Sequence, residues 1–162
     1  MSLTRVVFLC TGNSCRSQMA EGYARALGDG IIEAQSAGIE AHGQNPRAIA
    51  VMAEAGIDIS SQQSTRLTEA MLAWADRVVT VCGHADESCP VLPPGTQKEH
   101  WPLADPAKAT GTEAQIMTTF RATREEVKHR VTAFLERLRT ASNESQPGTG
   151  DQATSSRSPR LS

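Results

Sequence analysis

Hydrophobic residues along this chain come in blocks whose period changes from one block to the next. Residues 5–10, RVVFLC, run apolar without a break after Arg5 and are rich in β-branched side chains, the pattern of a strand buried on both faces in a parallel sheet. Residues 14–28, SCRSQMAEGYARALG, switch to apolar positions at helical spacing and stop at Gly28. A helix beginning near Ser14 is therefore expected after a tight loop. IIEAQSAG (31–38) reads as a second strand. NPRAIAVMAEAG (45–56) reads as a helix capped by Asn45 with Pro46 at its first position, and TEAMLAWA (68–75) as another, capped by Thr68 or a neighbour. RVVTVC (77–82) repeats the grammar of the first strand.

After Cys82 the stretch GHADESCPVLPPGTQ has no regular pattern, and a short strand KEHW and a loop PLADPAKATG follow it. Residues 112–140 then place Ile116, Phe120, Val127, Val131, Phe134, Leu135 and Leu138 at helical spacing, a final helix that closes the domain. From Ala141 to Ser162, Leu161 is the one large apolar residue, too little to offset the entropy of ordering, so a disordered tail is expected there. Alternating strands and helices imply an α/β fold: a four-stranded, mainly parallel sheet flanked by helices on both faces, in one domain over residues 1–140. Such sheets bind ligands beyond the carboxyl ends of their strands, where Cys10 and Cys82 both fall.

Composition narrows the partners. Sixteen Lys and Arg stand against 18 Asp and Glu in 162 residues, a balance that argues against nucleic acid and against an anionic membrane surface. An anionic ligand must then be held by local groups. The short apolar run at 6–10 is no export signal and no membrane span, so a cytoplasmic chain is expected, with its four cysteines (Cys10, Cys15, Cys82, Cys89) outside any structural disulfide framework. Their spacings do not match the short pairs of a zinc site, so no metal is assigned to them, and His42, His84, His100 and His129 are scattered and read as ordinary.

The loop CTGNSCRSQ (10–18) carries the chemistry. Small and polar residues between Cys10 and Arg16 let the backbone curl its N–H groups onto an oxyanion, and the following helix adds its positive end. Arg16 supplies a planar fork of donors, and the same surroundings favour the thiolate of Cys10. The loop lacks the Gly-Lys-Ser/Thr ending of a nucleotide-binding loop. An attacking thiolate needs an acid for the leaving oxygen. Asp105, stiffened by Pro106, is the candidate; an Asp-Pro turn without chemistry is the alternative.

Taken together, VVFLCTGNSCRSQMAEG, VVTVCGHADESCP, KEHWPLADPAKATGT and the final helix, about residues 5 to 139, resemble the arsenate reductases of thioredoxin-coupled type built on the low-molecular-weight protein tyrosine phosphatase fold. The Cys-x5-Arg loop and the later Asp-Pro are shared with the phosphatases; the pair Cys82 and Cys89 separates the reductases from them. The resemblance implies that Thr11, Gly12, Asn13, Ser14, Cys15, Arg16 and Ser17 surround arsenate, that Cys10 attacks it, that Ser17 helps hold the thiolate and that Asp105 protonates the departing oxygen. It further implies that Cys82 attacks Cys10 to release arsenite and that Cys89 attacks Cys82, leaving a disulfide for thioredoxin. Cys15 reads as a packing residue. No tightly bound cofactor is expected, and the working unit is taken as a monomer. Some relatives hold a potassium ion; Asn13, Glu21 and Ser36 match its ligands, but Thr65 stands where the family has an Asp, which removes a carboxylate from a weak site. A phosphatase and a non-catalytic redox sensor remain the alternatives.

Geometry constrains the last step. Seven helical positions would hold Cys82 and Cys89 about 10 Å apart, and a strand would hold them farther, whereas a disulfide needs Cα atoms about 4.4–6.8 Å apart. The segment must rearrange to close the bond.

Overall fold

The computed structural model describes residues 3–145. Its elements follow the alternation expected: β1 (Thr4–Cys10), α1 (Arg16–Leu27), β2 (Ile32–Gly38), α2 (Pro46–Glu54), α3 (Glu69–Trp74), β3 (Arg77–Thr80), α4 (Gly83–Ser88), β4 (Gln97–His100), a 3₁₀ turn (Pro106–Lys108) and α5 (Glu113–Ser145). The four strands pair in the order β2-β1-β3-β4, every neighbour parallel. The chain therefore leaves β1 toward one side of the sheet and later returns to its other side. This reversal opens a crevice beyond the carboxyl ends of β1 and β3.

The core forms where the uninterrupted apolar runs lie. Val6, Val7, Phe8 and Leu9 of β1 are fully buried, as are Val78 and Val79 of β3. Helices α1, α2 and α5 pack on one another, and α4 lies against β1 and β3. Helix α5 contributes Phe120, Val127, Val131, Phe134 and Leu135 to the interior, and Trp101 sits between Phe8 and Phe134 with ring centroids 5.7 and 5.9 Å away. Burial of such large side chains stabilises the fold by roughly 1.5–3 kcal/mol each. Asn45 and Thr68 cap α2 and α3 by accepting the N–H groups of Arg47 and Met71.

Several boundaries differ from expectation, among them β3, which ends at Thr80 and leaves Cys82 beyond the strand. Helix α1 begins at Arg16, with Cys15 at its cap position, so Ser14 belongs to the loop. Residues 83–88, which carry no readable period, form α4; at six residues it is too short to show one. Helix α5 continues past Thr140 through Ser145, because extending a formed helix adds one hydrogen bond per residue fixed. The rest of the expected tail, 146–162, lies outside the described residues.

Candidate active site

Strand β1 ends at Cys10 and delivers its sulfur to the mouth of the crevice; residues 11–15 then loop back to the start of α1. The loop bends at Asn13, whose φ of 51° makes it the one non-glycine residue in the left-handed region among the described residues. Asn tolerates that region better than most residues, and here its side chain locks the bend. Its Nδ2 donates to Ser17 Oγ (2.8 Å) and Ser36 Oγ (3.0 Å), and its Oδ1 accepts the Thr65 N–H (2.8 Å). Gln18, fully buried, donates to the carbonyls of Asn13 and Gln63 from below. Gly38, paired with Cys10 in the sheet, supports the loop from the other side. A Cβ there would lie 2.1 Å from the Glu40 carbonyl and 2.8 Å from both Asn13 N and Thr11 O.

Cys10 is 3% exposed, with its sulfur 2.8 Å from Ser17 Oγ and receiving the Asn13 N–H at 3.2 Å. Donors aimed at sulfur stabilise negative charge on it. Arg16 donates from Nη1 to the Leu103 carbonyl (3.0 Å) and places Nη2 3.6 Å from Asp105 Oδ2, while its buried Nε has no protein partner. A buried charged donor left unpaired is costly, and an oxyanion seated in the loop would satisfy it. Asp105 accepts the Ala107 N–H with Oδ1, capping the 3₁₀ turn, which leaves Oδ2 on the guanidinium side. Cys10, Thr11, Arg16, Cys82, His84 and Asp105 line one cleft of about 600 Å³. Gly12, Ser14 and Cys15 also line it, whereas the Asn13 side chain turns away to hold Ser17 and Ser36, and Ser17 in turn meets Cys10.

Cys82 stands two residues beyond β3, 6% exposed, at the N-cap of α4; its sulfur accepts the Ala85 N–H at 3.4 Å and lies 3.3 Å from Thr11 Oγ1. Cys89 is the C-cap of the same helix, half-buried, and burial pushes its thiol pKa up. Between them Asp86 fastens the helix to the sheet. Its Oδ1 is 2.8 Å from Lys98 Nζ and accepts the Thr80 hydroxyl at 3.1 Å, and that hydroxyl is also 2.8 Å from His100 Nδ1. Cys15 is 4% exposed, and burial pushes its thiol pKa up to about 11, so it stays protonated at neutral pH.

Asn13, Glu21 and Ser36 do come together, but as a closed hydrogen-bond chain. Ser36 donates to Glu21 Oε1 (2.5 Å), and Arg25 pairs with Glu21 Oε2 (2.7 Å from Nε), supplying the positive charge a cation would bring. Thr65 offers a backbone N–H, a donor. These groups do not fit a potassium ion.

Four residues escaped the sequence reading. His84, read as ordinary, places Nδ1 3.1 Å from Thr11 Oγ1 inside the cleft. His42 packs so tightly over Gly12 that a Cβ there would fall 2.3 Å from its Nδ1. Gln18 and Gly38 support the loop from positions whose spacing carries no signal.

The model of the low molecular weight phosphotyrosine protein phosphatase family matches residues 5–144. An arsenate reductase of Bacillus licheniformis is 52% identical over 137 residues, which is 84% of this chain and 98% of that protein. One of Bacillus subtilis strain 168 is 52% identical over 132 residues, 81% of this chain and 94% of the relative. Among solved structures, an arsenate reductase in the phosphate binding state superposes with a TM-score of 0.70 at 40% identity, covering 84% of this chain and 99% of that one. An arginine phosphatase from Geobacillus stearothermophilus superposes at 0.75 with 26% identity, covering 89% and 98%. The chain belongs to the low molecular weight phosphotyrosine protein phosphatase family.

Proposed function

We propose that this chain is a cytoplasmic, monomeric arsenate reductase that works by a thiol relay through Cys10, Cys82 and Cys89 and is recycled by thioredoxin. The observation that carries the reading is that Cys82 lines the same cleft as Cys10, with Thr11 between them, while Cys89 waits at the far end of α4. A phosphatase needs the first thiol and not the other two.

Arsenate enters the loop, where backbone N–H groups and the free Nε of Arg16 hold its oxygens. The Cys10 sulfur attacks arsenic and one oxygen leaves as water, protonated by Asp105, forming a thiol–arsenate adduct. Cys82 then attacks Cys10; the sulfur–arsenic bond breaks with its electron pair remaining on arsenic, which leaves as arsenite. Cys89 attacks Cys82, freeing Cys10 as a thiolate. The Cys82–Cys89 disulfide holds the two oxidising equivalents, and a dithiol protein can remove them by exchange. Cys89 is the least buried of the three cysteines, and Val91 beside it is 96% exposed, an apolar contact for such a reductant.

NADPH consumption with arsenate, thioredoxin and thioredoxin reductase tests the reading. Arsenate-dependent turnover that is lost in Cys82→Ser and in Cys89→Ser is expected. Hydrolysis of an aryl phosphate without arsenate-dependent turnover under any thiol donor would return the chain to the phosphatases.

A further inference from the structure

Resting on the reductase reading, the geometry points to a proton relay for the second thiol: we propose that His84 activates Cys82 by taking its proton through the hydroxyl of Thr11. The three groups form a continuous chain, Cys82 Sγ to Thr11 Oγ1 at 3.3 Å and Thr11 Oγ1 to His84 Nδ1 at 3.1 Å. A threonine hydroxyl has one proton to give and lone pairs to receive another. In the resting state the Cys82 S–H donates to Thr11, and Thr11 donates to the unprotonated Nδ1 of His84. After transfer the directions reverse: Nδ1–H donates to Thr11, and Thr11 donates to the Cys82 thiolate, which also receives the Ala85 N–H. Neither state leaves a group in the chain unsatisfied.

The placement of each member follows from the fold. Cys82 and His84 lie two residues apart at the start of α4, and Thr11 comes from the loop after β1, across the crevice between adjacent strands. His84 is exposed where Cys82 is buried, so the imidazole can pass the proton on to water while the sulfur remains dry. Imidazole is the side chain suited to accept and release a proton near neutral pH. Of the charged groups nearby, Glu40 is held ionised chiefly by its hydrogen bond from His42 and in smaller part by the charge of His84, and His42, Arg16, Asp105 and Lys108 line the same cleft.

The step balances. Cys82 gives one proton to His84 and forms a bond to Cys10 Sγ. The Cys10–arsenic bond breaks with its pair on arsenic, so two sulfurs are oxidised to a disulfide and arsenic is reduced by two electrons. The relay acts on Cys82 alone. Cys10 has its own partners in Ser17 and Asn13.

The test follows both thiols in the reduced full-length protein. Without arsenate, alkylation of Cys10 and Cys82 by iodoacetamide is timed by peptide mass spectrometry; with arsenate, formation of the Cys10–Cys82 bond is timed by acid quench. His84→Ala is expected to slow both Cys82 reactions by about 100-fold, the lower end of what a positioned base supplies, with Cys10 alkylation unchanged. Added free imidazole should restore them. His84→Asn, which keeps a hydrogen bond to Thr11 but cannot carry the proton, should remain slow. Wild-type Cys82 rates in either variant, or a loss that imidazole does not repair, overturns the relay. If Cys82 alkylation depends on His84 but wild-type protein makes no arsenite, the reductase reading fails and the relay stands.

Discussion

Lys98 grips Asp86 twice: its Nζ lies 2.8 Å from the Asp86 carboxylate and donates to the Asp86 backbone carbonyl at 3.1 Å. Strand β4 thereby holds the middle of α4, the helix that separates Cys82 from Cys89. Under the proposed relay, Lys98→Met should speed the step in which Cys89 replaces Cys10 on Cys82, by several-fold and no more, since both partners are partly exposed and screened. Quenched-flow trapping of the two disulfides gives the rate directly. The Lys98 contact lowers the Asp86 pKa, so the clamp is at full strength above the ordinary carboxylate range and weakens as pH falls through the lowered value. Protection of α4 amides should therefore drop on acidification before that of β1. Equal loss in both elements would show that the clamp does not set the local stability of α4.

Arg16→Lys should weaken oxyanion binding by about 10- to 100-fold, because an ammonium cannot replace hydrogen bonds from the fork to a charged ligand, each contributing about 1.5–3 kcal/mol. Calorimetric titration with phosphate measures it. The variant should still fold, since the polar partners of the guanidinium among the described residues are Leu103 and Asp105.

Gly38→Ala should damage the site from beneath. The atoms nearest the new methyl are backbone, at 2.1 and 2.8 Å, so the loop itself must give way. Overpacking of this sort costs about 1–3 kcal/mol, read as a lower denaturation midpoint, and the shifted loop should lose phosphate affinity as well. Unchanged affinity at a lowered midpoint would separate Gly38 from the loop.

Cys15, with its thiol pKa near 11, should resist iodoacetamide at pH 8 in the folded protein while Cys10 reacts. Cys15→Ala should keep phosphate affinity and turnover close to wild type. Rapid alkylation of Cys15 would contradict its burial.

Exchange of potassium for sodium at constant ionic strength should leave melting and phosphate affinity unchanged, because Arg25 already neutralises Glu21. Arg25→Ala is the control in which a cation dependence should emerge.

The fold was legible because its strands are continuous apolar runs and its helices α1, α2 and α5 carry clear period, cap or stop signals. Helix α4 was not, since Gly83–Ser88 shows neither, and it exists through its ties to Thr80 and Lys98, contacts distant in sequence. The site divides the same way. Cys10, Arg16 and Asp105 announce themselves by spacing and by chemistry; His84 is distinguished by Thr11 across the crevice, and Gly38 by the loop backbone packed against it. In the sequence His84 looks like His129, and only the fold places Thr11 beside it.

Because Cys82 and Cys89 cap opposite ends of α4, helix and disulfide exclude each other in the proposed relay. Every contact that favours the helix therefore favours the dithiol, and makes the disulfide a stronger oxidant. For a two-electron couple each 1.4 kcal/mol of such preference raises the midpoint potential by about 30 mV. The anchoring of six residues thus sets the electrochemical drop down which an external dithiol empties the enzyme. Titration of the Cys82–Cys89 pair against a glutathione or dithiothreitol buffer should place Lys98→Met at a more negative potential than wild type, the thermodynamic counterpart of its faster disulfide formation.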